Sequence, residues 1–186
     1  MKTTRDIRVI RTQTAILKAL ADLIQKKKLS AITITDLCAK ANINRNTFYY
    51  HYNNIFEFLD EHKQIVIEDI KKVSEKNRTH GKDIHVDLCN ALKNHPNFLT
   101  IMLSPNCDID YYSDIFDAAS KVTESFAAGT KDLSAKTKYT LTYCNAGTNA
   151  IIKSWILGGL KETPEEIGEI IWDVSSKGPF NLMNLN

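Results

Sequence analysis

The chain has 186 residues, enough for one medium domain, or for a small domain fused to a larger one, with a buried core. Hydrophobic residues make up 43% and charged residues 25% of the sequence, as in globular proteins, and no segment approaches the roughly 18 consecutive apolar residues of a membrane span. Residues 1–53 hold ten Lys or Arg against three Asp or Glu, whereas the remainder holds fourteen against nineteen. This asymmetry predicts either a basic surface for a polyanion or an ordinary solvated basic surface.

Apolar residues recur at spacings of three and four along the chain, and this pattern predicts an all-α fold. The first helix is predicted over about residues 12–27. Lys18, Asp22 and Lys26 lie on its polar side. The apolar stripe on its other side comprises Ile16, Ala19, Leu20, Leu23 and Ile24.

Two short helices are predicted next, over residues 34–41 and 45–52. Thr33 is a suitable N-cap for the first of them, and an acidic residue follows in its first turn. Asn42 tolerates the left-handed backbone that a sharp turn needs, and Asn44 can cap the second helix. The pattern therefore predicts two helices joined by a tight turn.

The remaining sequence predicts a chain of longer helices separated by Pro96, Pro105 and Gly129. The last helix is the best marked, since Thr163, Pro164 and Glu166 match an N-cap, a first-turn proline and a capping-box glutamate. These helices are predicted from about residue 54 to the polar stretch 74–82, and then over about 84–94, 97–103, 110–128, 135–157 and 164–176. We accordingly predict a three-helix domain over residues 1–53 and a larger helical domain over residues 54–186.

A helix-turn-helix lays its second helix in the major groove of DNA. Here that helix carries Arg45 and Asn46, which can make bidentate contacts to base edges, and it carries Thr and Tyr hydroxyls that suit phosphates. Taken alone, the helix is better interpreted as an ordinary polar helix face. The candidate DNA-binding residues are Thr33, Thr35, Asn44, Arg45, Asn46, Thr47, Tyr49 and Tyr50.

The segment ITITDLCAKANINRNTFYYHYNNIFEFL resembles the DNA-binding signature of the TetR family in order, spacing and position, and the resemblance extends over residues 12–60. It implies a DNA-binding transcriptional regulator, most simply a repressor that binds a palindromic operator in double-stranded DNA as a homodimer and is released by a small-molecule effector. By the same resemblance, residues 1–53 would form a helix-turn-helix DNA-binding domain and residues 54–186 a helical dimerisation and effector-binding domain. It also implies that Thr47 and Tyr49 grip the DNA backbone. Bases would be approached by Arg45, Asn46 and Tyr50.

Three positions depart from the family pattern. Asn42 and Asn46 replace common glycines, and Ile55 stands where the family usually has a phosphate-binding lysine. The lost cation raises an alternative function, that of a TetR-like co-regulator with weakened DNA binding that acts mainly through a protein partner. Compensating charge before the first helix comes from Arg5, Arg8 and Arg11.

The segment YCNAGTNAIIKSWILGGLKETPEEIGEII resembles the paired C-terminal helices through which some TetR-like regulators dimerise as a four-helix bundle. A stripe of small residues allows close approach on one face, while Cys144, Ile151 and Trp155 make a second apolar face. Such a helix needs two partners, and either a second subunit or complete burial within one monomer supplies them. The predicted interface comprises Gly147, Ala150, Ser154, Ile167, Ile170, Ile171 and Val174.

An effector pocket is predicted among the middle helices, where aromatic and apolar side chains with hydroxyl groups cluster in the sequence. The same residues also fit a plain hydrophobic core. The candidate pocket residues are Phe98, Met102, Tyr111, Tyr112 and Phe116.

Catalytic residues, cofactors and metal ligands are not predicted, because phosphate-binding glycine loops, nucleophile elbows and HExxH motifs are missing from the sequence. The four cysteines form no CxxC pair, and we expect reduced, mostly buried thiols. The basic residues 1–13 lack the apolar stretch of a secretory signal, so we expect a cytoplasmic protein without a membrane partner.

Overall fold

The computed structural model describes residues 7–75, 81–127 and 134–178. These residues form helices and connecting turns with no strand among them, which confirms the all-α prediction. A short 3-10 helix, Leu29–Ala31, follows the first α-helix. The α-helices are α1 Ile7–Ile24, α2 Ile34–Ala41, α3 Arg45–His51, α4 Ile55–Ser74, α5 Gly81–Lys93, α6 Pro96–Met102, α7 Tyr111–Ala127, α8 Ala135–Leu157 and α9 Pro164–Lys177.

The first helix differs most from its prediction. It begins at Ile7 rather than near residue 12, because the apolar residues of its first turns do not continue the buried stripe: Ile7 is 66% exposed and Ile10 is 47% exposed. It also ends at Ile24, and Lys26 and Lys27 form a turn on the Leu23 carbonyl.

The chain divides into two compact units. Unit 1 comprises Met1–Gln64 and Asn97–Tyr111, and unit 2 comprises Ile65–Pro96 and Tyr112–Asn186. Helix α4 contributes to both. The domain boundary between residues 53 and 54 stays a prediction from the sequence.

Unit 1 is built on the apolar stripe of α1, which packs against α2. Ile16, Leu20 and Ile24 are at most 1% exposed. The segment after α6 joins this unit through Asn106, whose side-chain amide donates to the Ile24 carbonyl at 2.8 Å and whose carbonyl accepts from the Leu29 N–H at 2.9 Å. Unit 1 is therefore assembled from two distant stretches of sequence.

Unit 2 is organised around α9, which packs against both α5 and α8. Gly168 on α9 allows the closest approach, because a Cβ atom there would lie 2.5 Å from Val86 Cγ2 and 2.8 Å from Val86 N. The predicted capping box at the start of α9 is confirmed, with Glu166 N–H donating to Thr163 Oγ1 at 3.2 Å and Thr163 N–H donating to Glu166 Oε2 at 2.8 Å. The close approach at Gly168 fixes the packing of α9 on α5, and the capping box fixes the start of α9.

The four cysteines are free thiols. Cys38 and Cys89 are buried, as expected, whereas Cys107 and Cys144 are half-buried. Burial raises the pKa of Cys89 to about 12. That thiol therefore stays protonated and behaves as a small apolar side chain.

Candidate DNA-binding surface

The start of α2 is held by a capping box. Asp36 N–H donates to Thr33 Oγ1 at 3.1 Å, and Thr33 N–H donates to Asp36 Oδ2 at 3.2 Å. Lys27 Nζ lies 2.6 Å from the same carboxylate oxygen. Hydrogen bonds from Lys27 and Thr33 lower the pKa of Asp36 to about 2. The carboxylate therefore ties the turn after α1 to the first turn of α2.

The turn between α2 and α3 has the geometry that its asparagines predict. Asn42 adopts the left-handed conformation, with φ 54° and ψ 47°. Two residues later, Asn44 caps α3 by accepting the Asn46 N–H at its Oδ1 atom, at 2.8 Å. The chain passes from α2 to α3 through a turn of three residues, as in a helix-turn-helix.

Helix α3 is anchored by two aromatic residues that face inward. Phe48 is fully buried, and Tyr52, the C-cap, is 6% exposed. Their ring centroids lie 5.7 Å apart, and the Tyr52 ring meets Phe58 edge-on at 5.0 Å. These contacts turn the rest of the helix toward solvent.

All eight predicted DNA-binding residues are exposed. Tyr50 is 83% exposed and Tyr49 47%, which is unusual for large aromatic side chains and typical of a contact surface. The Arg45 guanidinium carbon lies 6.0 Å from the Tyr49 ring centroid, so these two residues share one edge of α3. Thr33 and Asn44 differ from the others, because their side-chain oxygens cap α2 and α3.

The sequence did not reveal a buried polar contact behind α3. Gln13 on α1 is 7% exposed, and its Nε2 atom lies 2.6 Å from the Tyr52 hydroxyl and 3.4 Å from Glu61 Oε1. The available signal was position, since Gln13 precedes Ile16 by three residues and so continues the apolar stripe.

The start of α4 has no cationic side chain at the position where the family usually has a lysine. Ile55 there is 5% exposed and belongs to the core. The Glu57 carboxylate accepts from the Asn53 N–H at 2.8 Å and from the Asn53 side-chain amide at 2.9 Å, while Asn54 Oδ1 accepts from the Glu57 N–H at 2.9 Å. Three arginines are predicted to precede the first helix. Two of them, Arg8 and Arg11, lie exposed on α1 itself. Arg5 lies outside the described residues.

In unit 2, the predicted interface residues do not all face the same way. Ala150, Ser154 and Ile170 are exposed, and Gly147 and Val174 are half-buried. By contrast, the remaining two, Ile167 and Ile171, are 5% and 0% exposed and pack within their own unit. The alternative of complete burial within one monomer is wrong, because α8 leaves Tyr143 59% exposed and Leu157 61% exposed.

An open groove of about 470 Å³ runs between α8 and α9 on this face. A second cavity of about 160 Å³ continues it along α8, beside Tyr143 and Gly147. Both are lined mainly by apolar and small side chains. The larger groove is lined by Ala150, Ile151, Ser154, Trp155, Gly158, Lys161, Glu162, Ile167 and Ile170.

The predicted effector-pocket residues fall in both units. In unit 1, Phe98, Met102 and Tyr111 are buried, and the Phe98 and Tyr111 rings lie 6.2 Å apart. In unit 2, Tyr112 stacks on Phe116 at 4.1 Å. The effector pocket stays a prediction.

Comparison with known proteins identifies the family. A family model for the C-terminal region of TetR-type transcriptional regulators matches residues 79–177, more than half of the chain. The chain belongs to the TetR family. Members of this family are DNA-binding transcriptional regulators and not enzymes.

A stretch of this TetR-family chain is similar to a known regulator of Bacillus subtilis. Over 55 residues it is 47% identical to the uncharacterized HTH-type transcriptional regulator YxbF of Bacillus subtilis strain 168. The match takes in 29% of this chain but only 14% of the length of YxbF.

Solved structures share the fold. The TetR transcriptional regulator from Streptococcus agalactiae 2603V superposes with a TM-score of 0.61 at 19% identity, over 90% of this chain and 95% of that one. The fatty acid degradation regulator FadR from Bacillus halodurans superposes with a TM-score of 0.60 at 11% identity, over 90% of this chain and 97% of that one. At these identities the likeness establishes the fold alone.

Residues 7–75, 81–127 and 134–178 hold neither a metal-binding group of side chains nor a membrane-spanning helix. Within these ranges, His, Cys, Asp and Glu do not come together in a group of three or more that could hold a metal ion. The helices in the same ranges are too short or too polar to cross a membrane.

Proposed function

We propose that this TetR-family protein is a repressor that binds a palindromic operator as a homodimer and is released by a small-molecule effector. The observation that carries the proposal is the construction of α3. Its start is capped by Asn44 and its inner side is anchored by Phe48, while five polar or aromatic residues point outward. Those five are Arg45, Asn46, Thr47, Tyr49 and Tyr50.

The chemistry of these five side chains suits a major groove. Arg45 can donate two hydrogen bonds to guanine, and Asn46 can pair with adenine through both its amide atoms. The hydroxyls of Thr47 and Tyr49 can donate to phosphate oxygens, which fix register without reading sequence. We infer that Arg45, Asn46 and Tyr50 select the site and that Thr47 and Tyr49 hold the protein on the backbone.

A homodimer follows from the small size of this surface. Helix α3 has seven residues, a length of about 10 Å, and reads only a few base pairs. Two copies joined by a symmetric interface would read half-sites about one helical turn apart, or a multiple of it. The groove between α8 and α9 is our proposed dimer surface, with Ala150, Ser154 and Ile170 at the contact, Gly147 and Val174 at its edge, and Ile167 and Ile171 packed beneath it.

Release by an effector is proposed to act through aromatic side chains of unit 2. The stacked pair of Tyr112 and Phe116 offers an aromatic wall in unit 2, and Lys153 lies 5.1 Å from the Tyr112 ring centroid as a cationic neighbour. An effector with an anionic or aromatic group would suit these side chains. The cytoplasm is the proposed compartment, because operator DNA is accessible there.

A co-regulator acting through a protein partner is the second candidate, and the start of α4 favours it. Ile55 is buried, and the Glu57 carboxylate occupies the helix start where a phosphate would otherwise be attracted. That arrangement predicts weaker DNA binding than a lysine at position 55 would give.

One experiment separates the two candidates. The full-length chain is used to select duplexes from a random pool, and affinity for the selected and random duplexes is then measured at increasing salt. A repressor prefers the selected, two-fold symmetric duplex at physiological salt, and its gene lowers expression of a reporter placed behind that duplex. Equal affinity for both duplexes would favour the co-regulator, and raised reporter expression would contradict repression. Asn90→Glu is the control variant, because Asn90 lies at an exposed position on α5 in unit 2. It should show the same affinities and the same reporter expression as the wild type.

A further inference from the structure

Behind the DNA-facing side of α3, three polar side chains meet. They are Gln13 on α1, Tyr52 at the C-cap of α3 and Glu61 on α4. The Gln13 amide nitrogen lies 2.6 Å from the Tyr52 hydroxyl and 3.4 Å from Glu61 Oε1. We name this group the Gln13 clamp. We propose that the clamp orients α3 and thereby sets the sequence selectivity of the DNA contact, an inference that rests on the proposed function.

The hydrogen-bonding chemistry of the Gln13 clamp fixes the orientation of the Gln13 side-chain amide. An ionised carboxylate only accepts hydrogen bonds, so Glu61 requires the NH₂ end of the Gln13 amide to face it. The two hydrogens of that NH₂ group then serve Glu61 and the Tyr52 hydroxyl oxygen. Because Gln13 is 7% exposed, water competes little for either bond. The amide of Gln13 is thus held in one orientation between α3 and α4.

Helix α3 needs such a restraint because it is short. Within its seven residues, Phe48 is the buried anchor, and a helix fixed at a single side chain can rock about it. Tyr52 supplies a second fixed point at the C-terminal end, where its N–H donates to the Phe48 carbonyl at 2.9 Å. Ring packing locates Tyr52, and the bond to Gln13 fixes the distance from the end of α3 to α1. A functional surface is positioned well when its supporting side chains are themselves locked in this way.

Selectivity is more sensitive to this restraint than total affinity. Bidentate contacts from Arg45 and Asn46 require both side chains to meet base edges at set positions, whereas phosphate contacts tolerate small shifts. Rocking of α3 about Phe48 moves its first turn, which carries Arg45. Loss of the clamp should therefore weaken binding to the preferred duplex and leave binding to random DNA almost unchanged.

The test uses the full-length chain with Tyr52→Phe, Gln13→Met and the double variant. Replacing both Gln13 and Tyr52 by apolar side chains of similar shape should leave fold stability nearly unchanged, whereas each single variant leaves a buried polar group unpaired and should lower the melting temperature. Each single variant should bind the selected duplex about tenfold more weakly, the equivalent of one hydrogen bond. Affinity for random duplex should stay within about twofold, because phosphate contacts dominate it. The double variant should bind no more weakly than Gln13→Met alone, since Tyr52→Phe removes a bond that Gln13→Met has already removed.

Thr148→Val is the matched control, because Thr148 is a buried polar residue, 5% exposed, on α8 in unit 2. It should leave the preference for the selected duplex unchanged. Hydrogen exchange on the free protein gives a second measurement, in which the Tyr52 amide should exchange faster in Gln13→Met while that of Leu37 on α2 does not.

Three results would overturn the inference. Retention of the wild-type preference by both single variants shows that selectivity does not depend on the clamp. Equal losses on both duplexes, in step with a lower melting temperature, show that the clamp contributes only to folding. If the wild-type chain prefers no duplex, the proposed function and this inference fail together, whereas the first two results leave the proposed function intact.

Discussion

The exposed faces of α3 and α8 differ in chemistry although both lie on helices. Helix α3 is short and capped, and it exposes hydrogen-bonding side chains such as Arg45 and Asn46. Helix α8 has 23 residues and exposes Tyr143 and Leu157 beside an apolar groove. A polar face suits base edges and phosphates, whereas an apolar groove suits another protein surface. The two faces therefore predict different partners and different responses to substitution.

The largest expected effect is on the α8 groove. Ala150→Glu places an unpaired charge in the proposed dimer contact, which should cost on the order of several kcal/mol of association free energy. Because Ala150 is exposed in the protomer, the fold should survive. Sedimentation should show a dimeric wild type and a monomeric variant that binds operator poorly. A variant that remains dimeric, or a monomeric wild type at micromolar concentration, would exclude this groove as the interface.

The face of α3 should respond without any change in oligomeric state. Arg45→Ala should cost about 1–3 kcal/mol on the preferred duplex and relax base preference there. Tyr49→Phe should weaken all duplexes alike, because its hydroxyl is assigned to phosphate. Binding titrations on selected and random duplexes compare the two variants. Unchanged binding by both, with dimers intact, would rule out α3 as the DNA-reading helix.

Two glycines allow the same substitution to be compared at different sites in unit 2. Gly168→Ala forces a methyl group against Val86 and should destabilise the chain by about 1–3 kcal/mol. Gly147→Ala meets no atom within 4 Å in the protomer, so its effect on protomer stability should be neutral or favourable, by up to about 1 kcal/mol. Urea unfolding measures both. Equal stability of the two variants would show that α5 and α9 do not approach as closely as described.

The smallest expected effect is a pH dependence at the start of α2. The pKa of Asp36 in the folded chain is about 2, below its ordinary value of 3.8. Ionised Asp36 therefore stabilises the fold above about pH 4, and this contribution is lost as the pH falls toward 2. The urea midpoint of the wild type should fall over that interval, and Asp36→Asn should reduce the slope. An identical slope in the variant would mean that the capping box contributes nothing measurable.

Local signals account for what the sequence predicted well. Caps such as Thr33 and Thr163, and the left-handed Asn42, act within a few residues, so the helix ends near them could be predicted. The Gln13 contact to Tyr52 joins residues 39 positions apart, and sequence spacing carries no record of such a pairing. Helical periodicity likewise placed Ile171 on an apolar face without showing that its own unit covers it.

The bonds of Asn106 limit how this protein can be divided. A DNA-binding fragment ending at Gln64, or a chimera that exchanges everything after it, removes the donor to the Ile24 carbonyl and the acceptor of the Leu29 N–H. The Ile24 carbonyl lies at the end of α1, and the Leu29 N–H lies at the start of the 3-10 helix that precedes α2. A graft that carries residues 97–111 along with the first 64 keeps these partners, so the portable DNA-reading module of this regulator is discontinuous in sequence.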